Sequence, residues 1–171
     1  MKSNEFSITG ANVYTEKKPG AGRVLEFKEQ AEALVTPLNE LTANCVTIMI
    51  GIASDPAAGK LALWIDLDRA TSLRLSDEML RAIGARSPSP RIDGTAMTVD
   101  AWDDAHKPYL HAQGVDFRLG AGWDGRYGQD HWSIYMERQS ARGLIEVSAH
   151  IHFDNANARI LAELLRVMPF R

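Results

Sequence analysis

Residues 24–41, VLEFKEQAEALVTPLNEL, decide which kind of fold this chain is expected to make. Val24, Phe27, Ala31, Leu34, Val35, Leu38 and Leu41 recur at helical spacing and lay one apolar stripe along a helix. Pro37 lacks a backbone donor inside that pattern. The helix is therefore expected to kink or restart there, with Thr36 as the cap and Pro37 in the first helical position.

Outward from this segment the pattern changes from helix to strand. Upstream, Glu5 to Tyr14 loosely alternates as an opening strand, and Lys17-Lys18-Pro19-Gly20 reads as a loop. Downstream, CVTIMIGIASDPAAGKLALWIDL holds two β-rich runs around a turn containing Asp55-Pro56 and Gly59. The first run is apolar on both faces, as a central strand would be, whereas in the second Leu61, Leu63, Ile65 and Leu67 alternate with Ala62, Trp64 and Asp66. Ser76 suits the N-cap of a short helix ending at Gly84, and RSPSPRIDG (86–94) reads as a linker. Thr95–Trp102 and Val115–Leu119 are further strand candidates, while Asp103–Gly114 fits either a short helix or a loop broken by Pro108.

The clearest alternation lies near the carboxyl end. In HWSIYMER (131–138), Trp132, Ile134 and Met136 share one face with His131, Ser133, Tyr135 and Glu137 on the other. In IEVSAHIHF (145–153), Ile145, Val147, Ala149, Ile151 and Phe153 are apolar and Glu146, Ser148, His150 and His152 polar. A hairpin with its oily side toward one core, pairing Ile134 with Val147 across a four-residue loop Gln139–Arg142, satisfies both patterns. It sets His131 opposite His150, with His152 two residues along, so three imidazoles should cluster with Asp130 and Asp154 at the end of the patch. One of Asp154 and Asn155 is expected to cap a last helix with Ile160, Leu161, Leu164, Leu165 and Met168 as its apolar stripe. The expected architecture is one α+β domain over 1–171, a largely antiparallel sheet of about five to seven strands with the helices packed on one face.

Composition supports a packed core: of 171 residues, 45% are hydrophobic and 24% charged. A net charge of −3 without a basic cluster argues against nucleic acid as a partner. The longest apolar run, Cys45–Ala53, is too short to span a bilayer. One cysteine, Cys45, in an apolar setting, and a polar first five residues lead to an expectation of a cytoplasmic protein.

Two functions compete. The histidine patch, through His131, His150, His152 and Asp154, has the nitrogen and carboxylate donors of a zinc site, which leads to a metal-dependent hydrolase as the alternative. HIHFDN (150–155) resembles the opening of the H-x-H-x-D-H signature of the metallo-β-lactamase fold, with Asn155 where the last histidine would stand. That resemblance implies zinc and further ligands downstream, but residues 156–171 contain no histidine. Neighbours on a flat sheet point in parallel, whereas metal ligands converge. The leading expectation is instead a non-catalytic protein-binding module, of inhibitor, adaptor or dedicated chaperone type, with no cofactor. Its contact residues would be Trp123 and Tyr127 on a glycine-rich loop, Gly120–Gly128, together with Tyr135, because Trp and Tyr are enriched at binding hot spots. An uncovered strand edge would also let two copies pair as a homodimer.

Gly120, Gly122 and Gly125 spell G-x-G-x-x-G, but the segment after them is a strand, whereas a dinucleotide site needs a helix there. Asp103-Asp104 with His106 and His111 reads as a capped turn carrying exposed histidines, and no glycine-flanked elbow surrounds Ser76.

Overall fold

The structure is a computed structural model that describes residues 4–16, 20–27, 31–37, 45–51, 62–85, 91–102, 108–124 and 128–167. These form, in chain order, β1 (Glu5–Ile8), β2 (Gly10–Thr15), β3 (Arg23–Phe27), β4 (Ala31–Pro37), β5 (Cys45–Ile50), β6 (Ala62–Asp68), α1 (Arg69–Ala85), β7 (Arg91–Trp102), β8 (Pro108–Asp124), β9 (Gly128–Gln139), β10 (Ile145–Asp154) and α2 (Asn155–Val167).

The helix expected over 24–41 does not form. Its described part is β3 and β4, and residues 38–41 lie outside the described ones. Along β4 the burial has a period of two: Ala33 and Val35 are buried, whereas Glu32 is exposed and Leu34 and Thr36 are half-buried. β4 pairs with β1 on one side, Ala33 facing Phe6, and with β5 on the other, Val35 facing Ile48. Two ladders of backbone hydrogen bonds and the packing of β-branched neighbours outweigh the helical preference of the Ala and Glu residues. Pro37 stands at the end of the strand, where a missing donor matters least.

All ten strands belong to one sheet, in the order β1-β4-β5-β6-β7-β8-β9-β10-β2-β3, and all nine pairings are antiparallel. One end strand, β1, runs directly into β2, the strand next to the other end, with only Thr9 between them. β1 pairs with β4 and β2 with β10, and the Thr9 N–H donates to the His152 carbonyl at 2.8 Å. The sheet therefore curls into a nearly closed barrel, with β3 as an edge strand paired only to β2. The free side of β1 meets α2, where the Ser7 N–H donates to Asn157 Oδ1 at 2.7 Å. This corrects the expected α+β layout of five to seven strands with helices on one face: the segment expected to be a helix supplies β3 and β4 instead, and β4 joins β1 to β5 in a ten-stranded, nearly closed sheet.

The other expectations shift at their boundaries. The β5–β6 hairpin forms as expected, with Ile48 opposite Ile65. The linker assignment covers residues 86–90, outside the described ones, while 91–94 open β7. The ambiguous segment before Gly114 is strand from Pro108, and Asp103, Asp104 and His106 lie outside the described residues.

Inward side chains of the sheet and the buried faces of both helices make one hydrophobic cluster, with Trp132, Met136 and Phe153 among its largest members. Phe6 meets Phe153 edge to face at 6.2 Å, tying β1 to β10. α1 starts earlier than expected: Asp68 Oδ1 accepts the Thr71 N–H at 2.7 Å as its cap, and Ser76 is instead buried in the helix interior. Ser72 and Ser76 lie one turn apart and face α2. Their hydroxyls donate to the carbonyls of Leu165 (3.2 Å) and Ala162 (2.5 Å). Small side chains at Ser72, Ser76, Ala158 and Ala162 let the backbones approach this closely, and an Asp77–Arg166 ion pair closes the exposed margin. Ser76→Ala should lower stability by about 1 kcal/mol, the net worth of one buried hydrogen bond whose acceptor keeps its helical partner. Urea unfolding of the two proteins measures this, and an unchanged midpoint would show that the contact contributes nothing. Among the described residues, no helix is long and apolar enough to cross a membrane.

Candidate functional site

The β9–β10 hairpin has the faces its alternation predicts. Trp132, Ile134 and Met136 are buried on the same side as Val147, Ala149, Ile151 and Phe153. Its register differs: Ile134 pairs with Ile151, and Val147 pairs with Arg138 beyond a bulge next to Ile145. The turn, rather than the pattern, sets this offset. It spans 140–144, with Gly143 at φ 77°, a backbone conformation suited to glycine, and the Ser140 Oγ accepts the Arg142 and Leu144 N–H groups at 3.3 Å each. An offset by an even number of residues keeps every side chain on its face while changing its partner.

His131 accordingly stands opposite Asp154, His150 opposite Tyr135 and His152 opposite Ser133. The imidazoles still gather. His131 Nε2 and His152 Nδ1 are 2.8 Å apart in a buried hydrogen bond, with the rings 25° from parallel and 5.0 Å between centroids. His150 lies 4.0 Å from His152, the Tyr135 ring is edge-on to His150 at 5.7 Å, and the Arg118 guanidinium sits over Tyr135 at 5.4 Å. Arg118, Tyr135, His150, His152 and His131 thus form one contact path across β8, β9 and β10.

This path is a packed one. Two of its nitrogens point at each other, one donating and one accepting, so they do not aim at a common ion. Asp154 is engaged elsewhere: its Oδ1 accepts the backbone N–H and side-chain amide of Asn157 at 2.8 and 2.9 Å, capping α2. Asn155 Oδ1 accepts the Trp132 Nε1–H at 2.9 Å. Among the described residues, no three His, Cys, Asp or Glu side chains are placed to hold a metal ion. The four residues His131, His150, His152 and Asp154 are not among such a group: Asp154 stands opposite His131 but is engaged by Asn157, and the His131 and His152 rings stack on one another.

Of the contact residues expected for a partner, Tyr127 and the side chain of Trp123 lie outside the described residues, although the Trp123 backbone belongs to β8. The glycine-rich stretch joins two strands, β8 and β9, with no helix following it. Tyr135 is half-buried, and its hydroxyl donates to Glu137. Burial, followed by the bond to Glu137, raises the Tyr135 pKa above that of a free phenol. Glu137 is held below the usual carboxylate range by the hydrogen bonds from Tyr135 and Gln139, reinforced by the Arg118 charge. It is a fixed anion and acceptor near neutral pH, not a proton donor.

Glu137 and Arg118 border a cleft of about 1090 Å³ where the start of α1 meets β7, β8 and β9. Four guanidinium groups (Arg74, Arg91, Arg118 and Arg138) and three carboxylates (Asp93, Asp116 and Glu137) line it. Several are held in place by neighbours: Arg74 donates to the Asp93 carbonyl at 2.5 Å, Arg91 pairs with Asp93 at 3.1 Å and the Thr95 hydroxyl donates to Asp116 at 3.0 Å. No local pattern announces this cleft, since Arg74 on α1 and Asp93 on β7 are nineteen residues apart. Alternation alone does place Thr95, Asp116, Arg118 and Glu137 outward, so the charged wall was legible strand by strand. Chemically the cleft offers fixed donors and acceptors of both signs to a polar ligand.

Comparison with protein-family models, curated proteins and solved structures finds no match to this chain.

Proposed function

We propose that this chain is a non-catalytic protein-binding module, of inhibitor, adaptor or dedicated chaperone type, and that it holds its partner in the cleft between α1 and β7–β9. One observation carries the proposal: a large open cleft in which four arginines and three carboxylates are brought together from α1 and from strands β7, β8 and β9. Prearranged charges of both signs select a partner with the complementary pattern and favour encounter more than they add raw affinity. Arginine is also enriched at interfaces, where its planar group forms several directed hydrogen bonds. The lone buried Cys45 supports placing the protein in a reducing compartment such as the cytoplasm.

Affinity capture from the native host identifies the partner, and Arg74→Glu combined with Arg118→Glu tests the cleft. The double reversal should weaken capture by roughly thirtyfold, about 2 kcal/mol, and flatten its dependence on salt, with the melting curve little changed. Trp123→Ala serves as the comparison. Undiminished capture by the double variant, with loss in Trp123→Ala, would move the interface to the β8–β9 connection.

A further inference from the structure

A second outward-facing group lies on β6 and β7 and takes no part in the cleft. Trp64 on β6 stands opposite Asp100 on β7. Ala62 stands opposite Trp102 and Asp66 opposite Thr98, so Trp64, Asp66, Asp100 and Trp102 occupy adjacent outward positions. The indoles of Trp64 and Trp102 meet at 84° with centroids 6.0 Å apart. Both remain half-buried on the outside of the barrel, where no core demands them. An edge-to-face pair has a right-angled corner, floored by one ring face and walled by the other. Both ring faces carry the negative part of the aromatic quadrupole.

The carboxylates add charge of the same sign. Asp66 accepts the Thr47 hydroxyl at 2.6 Å, and Asp100 contacts His111 at 2.5 Å. Burial, and secondarily the Asp100 charge, push the Asp66 carboxyl up, against the bond from Thr47. The two carboxylates repel one another through a partly desolvated site, so a cation held between them and the rings relieves that repulsion. The aromatic faces favour a cation whose hydration is weak, since a large organic ammonium gives up little water to lie on an indole. A small, strongly hydrated metal ion gains less there.

We propose that the corner formed by Trp64 and Trp102, flanked by Asp66 and Asp100, binds an alkylammonium cation. The site is independent of the cleft, and the following experiment involves no protein partner.

Tetramethylammonium chloride is titrated into the isotopically labelled full chain, and the indole N–H resonances of its four tryptophans are followed by NMR. Sodium chloride controls for ionic strength, butylammonium stands for a lysine side chain, and tert-butanol is a neutral compact probe. Saturable shifts confined to Trp64 and Trp102, with a dissociation constant of roughly millimolar order, are expected. Trp102→Leu should weaken binding about tenfold, Asp100→Asn and Asp66→Asn each severalfold, and Trp64→Phe less than a leucine at the same position. Tighter binding of tetramethylammonium than of butylammonium assigns the site to quaternary amines, and the reverse order assigns it to lysine side chains. Equal shifts with tert-butanol would overturn the proposal by showing a merely apolar patch. It would also fail if no saturable shift occurs, or if the aspartate variants, which keep both rings, titrate like the parent.

Discussion

Trp132→Ala should lower the free energy of unfolding by about 3–5 kcal/mol, enough to threaten the folded state of a chain this size. The indole is 1% exposed and stands between Ala121 on β8 and Phe153 on β10 in the strand register. Its removal leaves a cavity that strands locked into a barrel cannot readily collapse to fill. The variant also takes away the Nε1–H donor to Asn155, the first residue of α2, so the helix start loosens along with the core. Trp132→Phe retains most of the apolar volume and should cost less than half as much. Urea denaturation followed by circular dichroism separates the two, and a loss below about 1 kcal/mol for the alanine variant would show that the site repacks.

At Gly94 the expected effect comes from adding atoms. Gly94 on β7 pairs with Phe117 on β8, and the phenyl ring lies over the glycine: a Cβ there would come within 2.2 Å of Phe117 Cζ and 2.6 Å of Cε1. Phe117 is 3% exposed, so its ring has little room to retreat. Gly94→Ala should therefore destabilise by about 1–3 kcal/mol. In a Phe117→Leu background, where the ring is gone, the same substitution should cost markedly less. The difference is the coupling energy of a double-mutant cycle. Equal costs in both backgrounds would show that the penalty arises from the backbone at 94 rather than from the ring.

The two residues were not equally legible: alternation identifies the face of Trp132 but not its neighbours, whereas Gly94 falls in the stretch expected to be a linker. Trp132 reads as inward from HWSIYMER alone. That it meets Phe153 rather than a residue nearer the turn depends on the 140–144 turn, where Ser140 and Gly143 set the offset of β10. The histidine cluster survived an error of register because the shift was even. Whether side chains converge on an ion depends on partner and ring orientation as well as on face, which alternation does not give. The cleft was less accessible still: Arg91 and Asp93 fall in the stretch expected to be a linker, and Arg74 reaches them only once α1 folds back beside β7.

Residues 24–37 mark the boundary between local and global information. Their apolar positions fit a helix of period 3.6, and the strand that forms buries only Ala33 and Val35 among the described β4 side chains, too few to declare a period of two. Locally the sequence determined which side of each strongly alternating segment is oily, and that the Asp154-Asn155 pair marks the change from strand to helix; the structure made Asp154 the cap. The tertiary structure alone decided which strands are neighbours, and that the kink at Thr9 lets one extended segment pair with β4 and β10 and bring the sheet round on itself. The physical reason is that side-chain order writes the face of a strand into the chain, whereas strand partners are chosen by backbone N–H and C=O groups, which are alike at nearly every residue and find each other only when the whole sheet assembles.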